Sequence, residues 1–219
     1  MNGNEKEMKV YTERYALFDV DTRRLNEQVG GDWGLVLVEK AKVIEERLRR
    51  VMMWAKICGA REVISTCITT TQAMGGVEVR DGEGVWQLPV DGGVNVVEDL
   101  EGKRRFVVGR PCEGCREEKV EKRFYDVFAH HQSLAKLVEK IDADVWVVVG
   151  ASFDFCLRVT AEGLVRLGQK VVVLEDVTLP SPRSTVESMQ KTKDELSAIG
   201  VEWMGIDAFF EKIEAEVVQ

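Results

Sequence analysis

The chain has 219 residues, 45% of them hydrophobic, and a formal net charge of -8. That length favours one substantial core and hence a single domain over residues 1–219, and the acidic balance gives no electrostatic ground for a nucleic-acid or anionic-membrane partner. The opening MNGNEKEMKV has no apolar signal-peptide core and no run approaches the roughly 20 apolar residues that cross a bilayer, so a cytoplasmic protein acting on a small molecule is expected.

In chain order, YALFDVD (Tyr15 to Asp21) reads as a buried strand. LVLVEKAKVIEERLRRVMMWAKICG has helical spacing and stops at Gly59, a C-terminal cap. REVIST (Arg61 to Thr66) is a second strand. VEVRDGEGVWQLPV predicts a hairpin around Asp81 to Gly84 inside an irregular insertion at about 67–118, which reads mostly as loop up to Cys115. EKVEK, ending at Lys122, is a short third strand, and QSLAKLVEKID a helix. DVWVVVG is a fully buried strand, FCLRVTAEGLVRLG a helix and KVVVLED another buried strand. STVESMQKTKDELSAIG is a capped helix, VEWMGI the sixth strand and DAFFEKIEAE the last helix.

Six short strands with crossover helices between most of them predict an α/β fold of three αβα layers, a doubly wound, mainly parallel, Rossmann-like sheet. Ligands in such sheets bind beyond the carboxyl ends of the strands, beside the point where strand order reverses. Asp21, Lys122 and Cys156 each follow a predicted strand. Asp19 competes with Asp21, because strand spacing puts both on one side.

Three segments in order, ALFDVD, KRFYDVF and GASFDFCLRVTAEGLVRLGQKVVVLEDV, carry a resemblance to the isochorismatase-like cysteine hydrolases, which include nicotinamidases and carbamoyl amidohydrolases. The last segment is the most specific, since Cys156, Thr160, Ala161, Gly168, Glu175 and Asp176 fall at the family's spacings. The resemblance extends from about residue 14 to 210 and is weakest between 67 and 118. It implies a catalytic triad of Asp21, Lys122 and Cys156. Cys156 would form a thioester with an amide-like substrate, Asp21 would move the proton, and Lys122 would orient the carboxylate and stabilise negative charge. A helix N-terminus and a nearby ammonium lower a thiol's pKa, which suits a nucleophile placed there. Backbone N–H groups of Phe155 and Cys156 would form an oxyanion hole, and a cis peptide would fall at Ala151 and Ser152. The resemblance also implies a homo-oligomer.

Departures from the family pattern bear on the substrate. The chain reads DTRRLNEQ after its aspartate, where Arg23 and Arg24 either face solvent or recognise a carboxylate. STCITTTQAMGG lacks the aspartate and histidines that hold a divalent ion in metal-binding nicotinamidases, so no metal or other cofactor is expected. Asp126 adds a carboxylate to the lysine segment, and Trp33, Phe124, Phe153 and Phe155 are candidate pocket residues or core aromatics. His130 and His131 are adjacent, so their side chains diverge and both cannot serve one site. Three other readings stay open. Cys156 and Lys122 also suit a packing cysteine and a solvated charge run; the chain also suits a non-catalytic ligand- or partner-binding member of the fold; and Cys112 and Cys115, in CEGC, also suit a redox or zinc module.

Overall fold

Seven strands form the main sheet in the order β5-β6-β2-β1-β7-β8-β9, and β3 pairs with β4 in a separate hairpin. The strands are β1 (Tyr15–Val20), β2 (Arg61–Ile68), β3 (Val77–Asp81), β4 (Gly84–Leu88), β5 (Val94–Val97), β6 (Arg105–Pro111), β7 (Val145–Ala151), β8 (Val171–Leu179) and β9 (Glu202–Met204). The helices are α1 (Asp32–Cys58), α2 (Val127–His130), α3 (Gln132–Ile141), α4 (Arg158–Arg166), α5 (Val186–Ala198) and α6 (Ile206–Ala215). This computed structural model describes residues 11–22, 32–68, 77–81, 84–88, 94–97, 105–111, 126–130, 132–181 and 183–216, with backbone alone for those of them within 32–43, 66–111, 130 and 132–133. No helix among the described residues is long and apolar enough to cross a membrane.

The sheet is parallel from β6 to β9, and only the edge strand β5 runs antiparallel, against β6. Both faces are covered, which explains why β7 is apolar throughout and why β1 is buried at every position, with Asp19 its one charged residue. On one face Ala16, Phe18, Val20, Trp146 and Val148 pack with Leu134 and Val138 of α3, Ala161 and Leu164 of α4 and Leu196 of α5. On the other, Tyr15, Leu17, Val147 and Val149 meet Val51, Trp54 and Ala55 of α1 and Ile206, Phe209 and Ile213 of α6. Each large side chain so buried contributes roughly 1.5–3 kcal/mol relative to exposure. Trp146 is the largest fully buried residue, and its indole N–H donates to Gln169 Oε1 at 3.0 Å, so its burial leaves no polar group stranded.

The three-layer, mainly parallel architecture agrees with the sequence reading, but the main sheet has seven strands among the described residues where six were expected, and the region before Cys115 needs correction. The stretch read as loop before Cys115 contains β5 and β6, and β6 pairs in parallel with β2 from Glu62 to Ile68. RFVVGRP carries a glycine and a proline that suggest loop, yet it takes the position beside β2. The predicted strand EKVEK lies outside the described residues. The β3–β4 hairpin sets Asp81 opposite Gly84, at the predicted turn.

Strand order reverses at β1. The chain leaves β1 for β2 and then β6 on one side, and later returns to lay β7, β8 and β9 on the other. The crevice beyond the carboxyl ends of β1 and β7 is therefore the switch point where ligands bind in doubly wound sheets.

Candidate active site

β1 and β7 pair from Tyr15↔Val145 to Val20↔Gly150. At the last rung the backbones come closer than side chains allow. Gly150 has φ +118, and a Cβ there would lie 2.8 Å from Val20 N and C and closer still to the Val20 carbonyl oxygen. Glycine alone fits this rung without displacing β1. The next residue on each strand begins the site.

Asp21 leaves β1 with φ +55, a left-handed conformation that aspartate tolerates better than most residues. Its N–H donates to the Ser65 carbonyl at 3.0 Å, and Ser65 Oγ donates to Asp21 Oδ1 at 3.1 Å. Ser65 is buried near the end of β2, so the neighbouring strand holds both the backbone and the carboxylate of Asp21. Two residues earlier Asp19 is wholly buried and accepts a hydrogen bond from Thr22 Oγ1.

On β7 the peptide bond between Ala151 and Ser152 is cis. A single π turn, Phe153–Leu157, follows and continues directly into α4. The helix predicted from Phe155 therefore starts in a wider turn, in which Leu157 N–H reaches back to the Ser152 carbonyl at 3.1 Å. Phe155 N–H donates to the same oxygen, also at 3.1 Å. Cys156 lies between these two residues and is buried, at 6% exposure, with its carbonyl accepting Thr160 Oγ1 at 2.7 Å. Gly163, one turn further along α4, lies against the Phe128 ring.

The other candidate residues divide into those the structure describes and those it does not. Lys122, Phe124, Arg23, Arg24, Cys112, Cys115 and His131 lie outside the described residues, and Trp33 and His130 are described by backbone alone. Asp126 Oδ1 accepts the N–H groups of Phe128 at 2.9 Å and Ala129 at 3.3 Å, so this carboxylate caps α2. Phe153 is buried with its ring 5.3 Å from that of Trp203. Sequence reasoning missed Ser65 and Asp154. Ser65 was legible as a polar residue near the carboxyl end of a buried strand, whereas Asp154 gave no signal beyond its closeness to Cys156.

The fold is shared with solved nicotinamidases, pyrazinamidases and isochorismatase-like hydrolases. Two solved structures with this architecture are a pyrazinamidase of Pyrococcus horikoshii in complex with zinc (TM-score 0.56, 18% identity, 88% of this chain and 99% of that one) and an isochorismatase-like hydrolase from Alkaliphilus metalliredigens (TM-score 0.54, 17% identity, 91% and 98%). The yeast nicotinamidase structure superposes with a TM-score of 0.55 at 20% identity, over 87% of this chain and 99% of that one. In sequence, the chain is similar to the nicotinamidase of Saccharomyces cerevisiae, 34% identical over 76 residues. That match takes in 34% of this chain and 35% of the yeast protein, so the chain spans about a third of the curated relative's length there. No protein-family model matches the chain.

Proposed function

We propose that the protein is a hydrolase of amide-like C–N bonds in small molecules, with Cys156 as the nucleophile. The observation that carries this reading is the placement of a carboxylate and a cysteine just beyond the carboxyl ends of β1 and β7, where strand order reverses. The yeast relative is a nicotinamidase and two of the structural neighbours are a pyrazinamidase and a nicotinamidase, which supports amide hydrolysis as the reaction class.

In this mechanism the β1 carboxylate takes the thiol proton, and the thiolate sulfur adds to the amide carbonyl carbon. The oxyanion that forms is met by the Cys156 N–H and by the Phe155 N–H, the latter shared with the Ser152 carbonyl. The carboxylic acid returns its proton to the departing nitrogen, the C–N bond breaks and the acyl group remains on sulfur as a thioester. Water, deprotonated by the same carboxylate, then attacks the thioester; the C–S bond breaks, the thiol regains its proton and the acid product leaves. Lys122 completes the triad by orienting the carboxylate. The sequence reading assigns the carboxylate role to Asp21. Asp19, wholly buried inside β1 two residues before, is the competing carboxylate that the variants below separate from Asp21. We place this chemistry in a cytoplasmic homo-oligomer.

The test maps iodoacetamide alkylation of all five cysteines from pH 5 to 9 in the native chain and in Asp21→Asn, Asp19→Asn and Lys122→Ala. Cys156 is expected to react fastest below pH 7, and its profile to shift in Lys122→Ala and in whichever aspartate variant removes the base. A panel of small primary amides then identifies the acyl group, with Cys156→Ser inactive. Equal reactivity of Cys156 and the other thiols, with profiles unchanged in every variant, refutes the mechanism and favours a binding protein.

A further inference from the structure

The turn carrying Cys156 is joined to the loop after β8 through a single carboxylate oxygen. Asp154, two residues before Cys156, accepts Ser184 Oγ–H at 2.7 Å and Ser181 N–H at 3.4 Å, both on Oδ1. The receiving loop is itself closed: Ser184 N–H donates to the Ser181 carbonyl at 2.9 Å and Arg183 N–H to Ser181 Oγ at 3.1 Å. Ser181 is only 3% exposed. β8 runs parallel to β7 with Leu179 beside Ala151, so this loop leaves the sheet at the same end, and next to, the turn that holds the cysteine. Arg158, the cation of α4 nearest in sequence, makes its ion pairs with Glu162 and Glu195 at 2.8 Å each, while Asp154 Oδ1 receives the two serine donors.

We propose that Asp154 is a positioning residue that ties Ser181 and Ser184 to the π turn, so that these two serines and the turn carrying Cys156 hold one another in place. The proposal rests on the hydrolase reading for its functional meaning, but its physical content is separate. A segment held only by its own turn opens independently of its neighbours, whereas one tied to a carboxylate on another segment opens together with the segment that carries it. The oxygen does the tying, so asparagine, which keeps an acceptor at the same place, preserves the tie, and alanine abolishes it.

The experiment combines amide hydrogen exchange with Cys156 alkylation across pH in the full chain. Asp154→Ala is expected to raise exchange about tenfold in both 153–157 and 181–185, as loss of a hydrogen bond to a charged acceptor implies. Asp154→Asn restores near-native exchange in both segments. Ser184→Ala leaves the carboxylate in place and removes only the 2.7 Å bond; it is the milder variant should Asp154→Ala fail to fold, and it raises exchange in the same two segments. In both loosened variants the pH profile of Cys156 alkylation moves, and Asp154→Asn separates the effect of the lost charge from that of the lost tie. Faster exchange confined to 181–185 with an unchanged Cys156 profile overturns the proposal, as does failure of asparagine to restore coupling. If native Cys156 reacts no faster than the other thiols, the hydrolase reading falls while the paired exchange result still decides the tie.

Discussion

Replacing Gly150 by alanine tests whether the last rung between β1 and β7 sets the geometry of the site. The added Cβ would lie 2.8 Å from Val20 N and C and nearer to its carbonyl oxygen, and all three atoms are backbone in a fully buried strand. No rotamer change relieves this overlap, so β1 and β7 must separate at Val20↔Gly150. Holding a non-glycine residue at this φ costs about 1–3 kcal/mol, and each ladder hydrogen bond weakened by the separation costs about 0.5–1.5 kcal/mol. With about two such bonds weakened the sum is about 2–6 kcal/mol, a large part of the roughly 5–15 kcal/mol that stabilises an ordinary domain. Gly168→Ala is the control: its φ is +78 but nothing lies within 4 Å, so it meets only the left-handed cost of about 1–2 kcal/mol. Urea unfolding of the two variants gives the comparison, and insoluble Gly150→Ala beside soluble Gly168→Ala agrees with the argument. A Gly150→Ala protein no less stable than Gly168→Ala would falsify it. Because Asp21 and Cys156 follow this rung on their respective strands, the variant is also expected to alter Cys156 alkylation, which Gly168→Ala leaves unchanged.

Two further outcomes are expected. Ser65→Ala removes the 3.1 Å bond to Asp21 and lowers stability by about 1 kcal/mol; if Asp21 is the base it also lowers kcat for the identified amide with little change in KM, whereas unaltered stability and Cys156 reactivity would show the bond to be idle. Asp144 is held at about 2 by its hydrogen bonds from the Arg14 side chain and then from the Arg14 N–H. A carboxyl depressed in the folded state contributes stability above its unfolded value near ~3.9 and loses it as pH falls toward 2. The stability gap between the native chain and Asp144→Asn in urea is therefore expected to be small at pH 6, because the pair is exposed, and to close between pH 4 and 2. A gap that persists at the acid end would assign it to something other than the ionised carboxylate.

The apolar runs in β1, β7 and the first half of β8, and the helix-period segments between them, were legible as a doubly wound sheet, because a strand covered on both faces is predominantly apolar instead of alternating. The placement of Cys156 after β7 followed from the same pattern. Other features depend on contacts between segments far apart in the chain. RFVVGRP looks like loop until β2 offers it a partner. Ser65 and Asp154 matter through hydrogen bonds to residues 44 and 30 positions away. Local periodicity reports which side of an element meets the core, and that much the sequence determined. Which polar atoms meet at a sheet's end depends on strand order and register, and these arise only when distant segments pair.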